Sequence, residues 1–393
     1  MDSYAFSHKM AALQPSAIRE ILKATSVPGM IPFAAGNPSA EAFPTEEIRR
    51  ITDGILRDQP LAALQYGITE GYAPLIEQVR KMASERADAV RDEDGILITA
   101  GAQQAIELFA KCILNEGDVL LTESPSFIGS LNSFRSLGGV LRGVPMEADG
   151  LSVEALEAAL KQEPHPKFLY TIPNFQNPSG ATMSLQKRRA LLELAEKYDI
   201  LVLEDNPYGE LRFDGEDIPT LKSLDPYGRV MYVGSFSKVL APGLRLGYAI
   251  GPKALIAKMT VAKQGEDVHT ALLPQMIAER FLAETDFAAH VERLRNLYRA
   301  KAHRMLDGMK ANLPAEITWV RPEGGLFVWC RLPNRTDMLG YVRRAVEKSV
   351  AVVPGTAFLT DQNEVSHSIR LNFSTPTDEQ IDHGLEILGG IEL

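Results

Sequence analysis

Lys238 sits in the stretch VMYVGSFSKVLAPGLRLGYAIG, residues 230–251, just after an apolar run and seven residues before Arg245. An amine at a strand end, partly out of water and beside a guanidinium, is pushed toward its neutral, nucleophilic form. Other apolar runs also end in reactive or ligand-binding residue types. Gly101-Ala102-Gln103 follows residues 95–100 and opens a helix, where free backbone N–H groups make an anion site. Ser235, Ser237 and Arg245 add hydroxyls and a guanidinium fork that suits a pair of phosphate oxygens. Asp205 closes the run 200–205 with a carboxylate, and Phe127 offers a flat apolar face. A bound phosphate, a ring nitrogen paired with Asp205 and an aldehyde captured by Lys238 together describe pyridoxal phosphate.

The elements that must position these groups are short apolar runs alternating with helical periodicities. GILITA (95–100), DVLLTES (118–124), KFLYTIP (167–173), ILVLED (200–205) and RVMYVGS (229–235) read as strands. AQQAIELFAKCIL (102–114), LSVEALEAALKQ (151–162) and SLQKRRALLELAEKYD (184–199) read as helices, the last with Ser184 at its N-cap. This alternation predicts an α/β class with a mostly parallel sheet flanked by helices, and ligands then bind beyond the carboxyl ends of the strands. The large domain is expected at 40–285. From 286 the pattern becomes α+β: a long charged helix, then strands around a helix near 337–349. Residues 1–39 and 286–393 are expected to form a smaller domain with an N-terminal arm.

Bulk properties limit the function classes. The chain has 393 residues and a net charge of −10, which argues against a general nucleic-acid binder. Two isolated cysteines, Cys112 and Cys330, give neither a disulfide framework nor zinc spacing. No metal site is expected from the histidine spacing. No apolar run approaches the ~20 residues of a membrane span, and no signal peptide is legible, so a cytoplasmic protein without membrane partners is expected.

The motifs SFSK followed by PGLRLGY, NPSG (177–180) and DNPY (205–208) resemble the signature of the fold-type I pyridoxal-phosphate aminotransferases, class I/II. SAIREIL (16–22), IPFAAGNP (31–38), QYGITEGYAPL (65–75), PSFIG (125–129) and SHSIRLNFS (366–374) are similar to its 2-aminoadipate aminotransferase-like subgroup. The resemblance runs from about Ser16 to Leu388 and implies an aspartate aminotransferase-like large domain. It further implies that Lys238 carries the cofactor as a Schiff base and moves protons between Cα and C4′. Asp205 would pair with the ring nitrogen, Asn177 and Tyr208 with the ring hydroxyl, and Phe127 would stack on the ring. Gly101, Ala102, Gln103, Ser235, Ser237 and Arg245 would hold the phosphate, with Tyr66 reaching it from the partner in a homodimer. Arg370, helped by Asn174, would clamp the substrate α-carboxylate. Ser16 and Arg19 would select the side chain, and Gly36 would allow close backbone approach.

The pattern departs from many relatives at Phe127, where tyrosine is common, and at Ala35 and Asn37, both beside the substrate. The implied reaction is transamination between an L-amino acid (aminoadipate, aromatic, or branched/aliphatic) and a 2-oxo acid such as 2-oxoglutarate. Two alternatives stand beside it: a C–S β-lyase or racemase on the same site, and a sensor domain of a transcription regulator, which would need a basic DNA-binding head.

Overall fold

The computed structural model describes residues 4–11, 29–361 and 364–393. Its main body is an eight-stranded sheet in the order β1-β8-β7-β6-β5-β2-β3-β4. The strands are β1 (Asp94–Thr99), β2 (Val119–Ser124), β3 (Val140–Glu147), β4 (Gly150–Leu151), β5 (Phe168–Thr171), β6 (Leu201–Asp205), β7 (Val230–Ser235) and β8 (Gly247–Pro252). Strands β3-β2-β5-β6-β7 pair in parallel, and β8 runs antiparallel to both β7 and β1. Every residue of β5 is buried, as expected for a strand covered on both faces. The five strands expected from sequence are present. β8 was not among them.

The helices form where capping and periodicity place them. Ser184 accepts a hydrogen bond from the Lys187 N–H and starts helix Leu185–Lys197, a cap worth about 1 kcal/mol. The helix Ala102–Ile113 buries Ala105, Ile106, Leu108, Phe109 and Ala110. Its N-cap Gly101 makes no side-chain cap, so its first N–H groups remain available. The five parallel strands and β1 run the same way, so the ends of β1, β2, β5, β6 and β7 share one edge.

A second sheet has the order β11-β12-β10-β9, built from β9 (Thr318–Trp319), β10 (Phe327–Arg331), β11 (Val353–Pro354) and β12 (Ser368–Asn372). The helix Phe287–Asn312 packs along Asp378–Gly389 and donates from Arg295 and Arg299 to the carbonyls of Glu210 and Phe213. The stretch after Met30 packs against the second sheet: Ile31 bridges Val350, and the Asn372 N–H donates to Phe33 O within a turn. Among the described residues no helix is long and apolar enough to cross a membrane. Both cysteines are free thiols.

Candidate active site

Lys238 lies three residues beyond β7, in a turn between Ser237 and the 3-10 turn Pro242–Leu244. Its Nζ donates to the backbone oxygen of Gly36 at 2.8 Å. Burial first, then the charges of Arg370 and Arg245, bring its pKa down to about 8. Both effects disfavour the ammonium form. Lys238 is therefore held closer to its free-amine form than a solvated lysine, with roughly one molecule in ten neutral at pH 7.

Asp205 ends β6 and is 3% exposed. Burial pushes its pKa up to about 7, opposed by a hydrogen bond from Tyr170. The Tyr170 hydroxyl donates to Asp205 Oδ2 at 2.7 Å. The other oxygen, Oδ1, is buried with no hydrogen-bond partner among the described residues. A buried carboxylate oxygen left unpaired is costly, so Oδ1 is shaped for a donor that is not part of the chain.

Arg370 on β12 is buried between two rings, its guanidinium 4.2 Å from the Phe327 centroid and 5.1 Å from that of Phe358. Nη1 donates to Asn177 Oδ1 at 2.9 Å, and Nη2 to the oxygens of Ala34 (2.9 Å) and Ala35 (3.2 Å). Nε is buried and unpartnered among the described residues. Burial lowers its pKa to about 10, and it stays charged at neutral pH. Asn177 also donates to the Tyr208 hydroxyl at 3.4 Å, and burial raises the Tyr208 pKa.

At the end of β1, Gly101 has φ +82°. A Cβ there would lie 2.5 Å from Arg245 Nη2, and one at Gly247 would lie 2.5 Å from the Ala102 nitrogen. Only glycine lets Arg245 and the helix start come so close. Arg245 itself is in the left-handed region, φ 50°, and donates to Ala100 O at 3.3 Å. The Ser237 N–H donates to Ser235 Oγ at 3.1 Å. The result is a ring of N–H, hydroxyl and guanidinium donors, the composition of an anion cradle.

A family model described as aminotransferase class I and II matches residues 28–388. The chain is 41% identical over 98% of its length to a 2-aminoadipate transaminase of Thermus thermophilus, covering 96% of that protein. It is 38% identical over 98% of its length to aromatic-amino-acid aminotransferase 1 of Thermococcus litoralis, covering 93% of it. Pyrococcus horikoshii kynurenine aminotransferase, solved in complex with PMP, superposes with a TM-score of 0.94 at 38% identity, over 98% of this chain and 96% of that one.

The chain is a class I and II aminotransferase. It is a pyridoxal-phosphate enzyme that exchanges amino groups between amino acids and 2-oxo acids. The residues of the aminotransferase fit that cofactor on two observations: the unpaired Asp205 Oδ1 and the donor cradle that a Cβ at Gly101 would fill.

The structure brings together Lys238, Asp205, Tyr208, Asn177 and Arg370, along with the carbonyl of Gly36. Gly101, Ala102, Ser235, Ser237 and Arg245 gather on the neighbouring rim. The Gln103 side chain is turned away and donates to Gly129 O and Ser133 Oγ, which leaves its backbone N–H for the cradle. Phe127 caps helix Ile128–Ser136, and a Cβ at Gly129 would collide with its ring. The Asn174 side chain accepts from Arg188 at 2.6 Å and donates to Asn206 at 2.9 Å, and the side-chain oxygen that takes Arg370 Nη1 is that of Asn177. A Cβ at Gly36 would meet Phe327 only at ordinary contact, 3.7 Å, so packing alone does not require glycine there. Tyr66 is 80% exposed and makes an edge contact with His269. Ser16 and Arg19 lie outside the described residues.

Sequence reasoning missed Tyr170, Glu123 and Phe327. Glu123, fully buried, accepts from Thr171, Gln176 and the Ile172 N–H, and burial raises its pKa to about 7. Gln176 also takes the Ser179 N–H, so Glu123 pins the loop that carries Asn177. The available signal was chemical: a carboxylate and a tyrosine inside otherwise apolar strands each need a buried partner.

Proposed function

We propose that this aminotransferase takes acidic and aromatic L-amino acids as donors and 2-oxoglutarate as acceptor, working as a homodimer. When bound, pyridoxal phosphate supplies an aldehyde and an electron-withdrawing ring. Lys238 Nζ is the base that takes the substrate Cα proton, a task suited to an amine poised near the working pH. Asp205 Oδ1 would accept from the ring nitrogen, and Asn177 and Tyr208 would serve the ring hydroxyl. Phe127 would offer its flat apolar side chain to the ring. The N–H groups of Ala102 and Gln103, with Ser235, Ser237 and Arg245, would hold the phosphate. Arg370 orients the substrate through its α-carboxylate, which favours deprotonation over loss of that carboxylate.

The carrying observation is that three groups converge in complementary states: a half-buried amine with a depressed pKa and, among the described residues, a buried acceptor oxygen without a donor and a buried guanidinium nitrogen without an acceptor. The donor range rests on relatives named for aminoadipate and for aromatic amino acids. Arg19 is the candidate partner for an acidic side chain. The dimer rests on the exposed patch Leu61, Leu64, Tyr66 and Ile68, each more than 60% accessible, around a 610 Å³ groove. Contiguous apolar patches of this kind mark interaction sites.

A panel of L-amino acids with 2-oxoglutarate, read as glutamate formed, tests the reading. Glutamate should form with aminoadipate and with aromatic donors, and Arg370→Lys should lower kcat/KM by about 10- to 100-fold, the loss of one bidentate charged pair. Absence of glutamate with every donor, or pyruvate release from cysteine conjugates without an acceptor, would refute it.

A further inference from the structure

Behind Asp205 lies a file of hydroxyls. Ser130 Oγ donates to the Tyr170 hydroxyl at 2.9 Å, and Tyr170 donates to Asp205 Oδ2 at 2.7 Å. All three side chains are buried. Tyr170 has one hydroxyl hydrogen. Giving it to Asp205 makes the tyrosine oxygen an acceptor, and Ser130 fills that role. The ring is fixed as well: Phe134 meets it edge-on at 5.4 Å, and Phe134 and Phe109 both pack on Phe168. Ser130 and Phe134 belong to helix Ile128–Ser136, whose cap is Phe127.

We propose that Tyr170, backed by Ser130, is a positioning residue that holds Asp205 as a pure acceptor and reserves its free oxygen for the ring nitrogen of the cofactor. A carboxylate that receives a hydroxyl proton on one oxygen is fixed in rotation about its last bond. It is also stabilised in its ionised form, which the ring nitrogen needs in order to stay protonated. Without Tyr170, Asp205 would be a buried carboxyl with both oxygens unsatisfied, and burial would favour its neutral form. The helix that carries Ser130 also carries the stacking ring, so one element sets the face and the nitrogen end of the same ligand. The proposal rests on Asp205 pairing with that nitrogen.

The test measures ring-nitrogen preference. The full chain is stripped and refilled with either pyridoxal phosphate or its 1-deaza analogue, in which carbon replaces the ring nitrogen. Half-saturation is read from quenching of intrinsic fluorescence, so turnover is not involved. Both ligands bond Lys238 and fill the phosphate cradle alike, and the ratio of their affinities isolates the nitrogen. Tyr170→Phe should shrink that ratio about tenfold or more, in line with the loss of a hydrogen bond to a charged group. Ser130→Ala should shrink it less but in the same direction. Equal weakening toward both ligands would mean that Tyr170 serves packing alone, and an unchanged ratio would mean it does not act through Asp205; either overturns the proposal. If Tyr170→Phe does not fold, Ser130→Ala decides by the same criterion. Asp205→Asn separates the two layers. A collapsed ratio in Asp205→Asn with an intact one in Tyr170→Phe sinks this inference alone, whereas an intact ratio in Asp205→Asn sinks the pairing on which it rests.

Discussion

Lys238 can be tested through its proton. A lysine in water titrates near 10.4, whereas burial, Arg370 and Arg245 bring Lys238 to about 8. At pH 7 a group titrating at about 8 is neutral in roughly one molecule in ten, against roughly one in 2,500 at about 10.4. The fold thus enlarges the reactive population about 200-fold. Cofactor-free protein mixed with excess pyridoxal phosphate should form its reducible Lys238 adduct at a rate that rises about tenfold per pH unit and levels off near pH 8. Replacing Arg370 with Met removes the charge that acts more strongly on Lys238 and should move the inflection upward. Arg245→Gln should move it less. An inflection at pH ~10 or above would refute the reasoning, because the amine would then behave as a solvated lysine.

The same shift makes a thermodynamic prediction whose sign is fixed. Between about pH 8 and about 10.4 the unfolded chain holds a proton on this lysine that the folded chain has released, so stability rises with pH across that window. Below about pH 8 the burden of the buried charge is fully present. It is relieved as pH climbs, by something on the order of 3 kcal/mol at most. Subtracting the unfolding profile of Lys238→Met cancels the other groups that titrate there. A flat difference profile would contradict the depressed value.

Two further outcomes are expected. Gly101→Ala puts a Cβ 2.5 Å from Arg245 Nη2 at a φ of +82°. The backbone strain is about 1–3 kcal/mol, and the displaced guanidinium should raise the half-saturating cofactor concentration at least ~10-fold; titration of the refilled protein checks it, and unchanged affinity would remove the phosphate cradle from the account. Tyr66→Ala should weaken cofactor binding, and at a cofactor concentration that leaves Tyr66→Ala empty, mixing and reassembling it with Lys238→Ala should recover about a quarter of wild-type activity, because half the dimers then hold one intact site. No recovery would place Tyr66 in its own subunit's site or outside any site.

What could be read from the chain followed from burial and chain direction. Apolar runs such as VMYVGS and FLYT are buried on both faces, so they stood out, and their last residues were the right places to seek chemistry. β8 hid because Gly247 and Gly251 break its apolar run. Both glycines answer to neighbours: a Cβ at Gly247 would strike Gly101 and Ala102, and one at Gly251 would strike Met231. Side-chain direction was harder to read. Asn174 and Asn177 stand three apart in one loop, yet one faces Arg188 and the other Arg370. Loop backbone carries no periodicity from which that choice could be read.

Gly36 shows how the two halves of the site are joined. Lys238 reaches it from the large sheet, donating to its oxygen, while Arg370 reaches Ala34 and Ala35 from the small one. Ser374 and Thr375 both donate to Asn37 O. One short segment, residues 34–37, which leaves the turn closed by the Ala35 N–H on Pro32 O, thus offers its carbonyls to the proposed base and to the proposed carboxylate anchor. Any substrate that binds both groups must compete with those carbonyls for the same donors. A carboxylate wins that competition at Arg370, because a charged acceptor forms the stronger hydrogen bond. Lys238, once neutral, gives up little by leaving Gly36. The peptide oxygens of this segment therefore accept from both Lys238 and Arg370 while adding no net charge, and a charged side chain in their place would hold Arg370 against substrate.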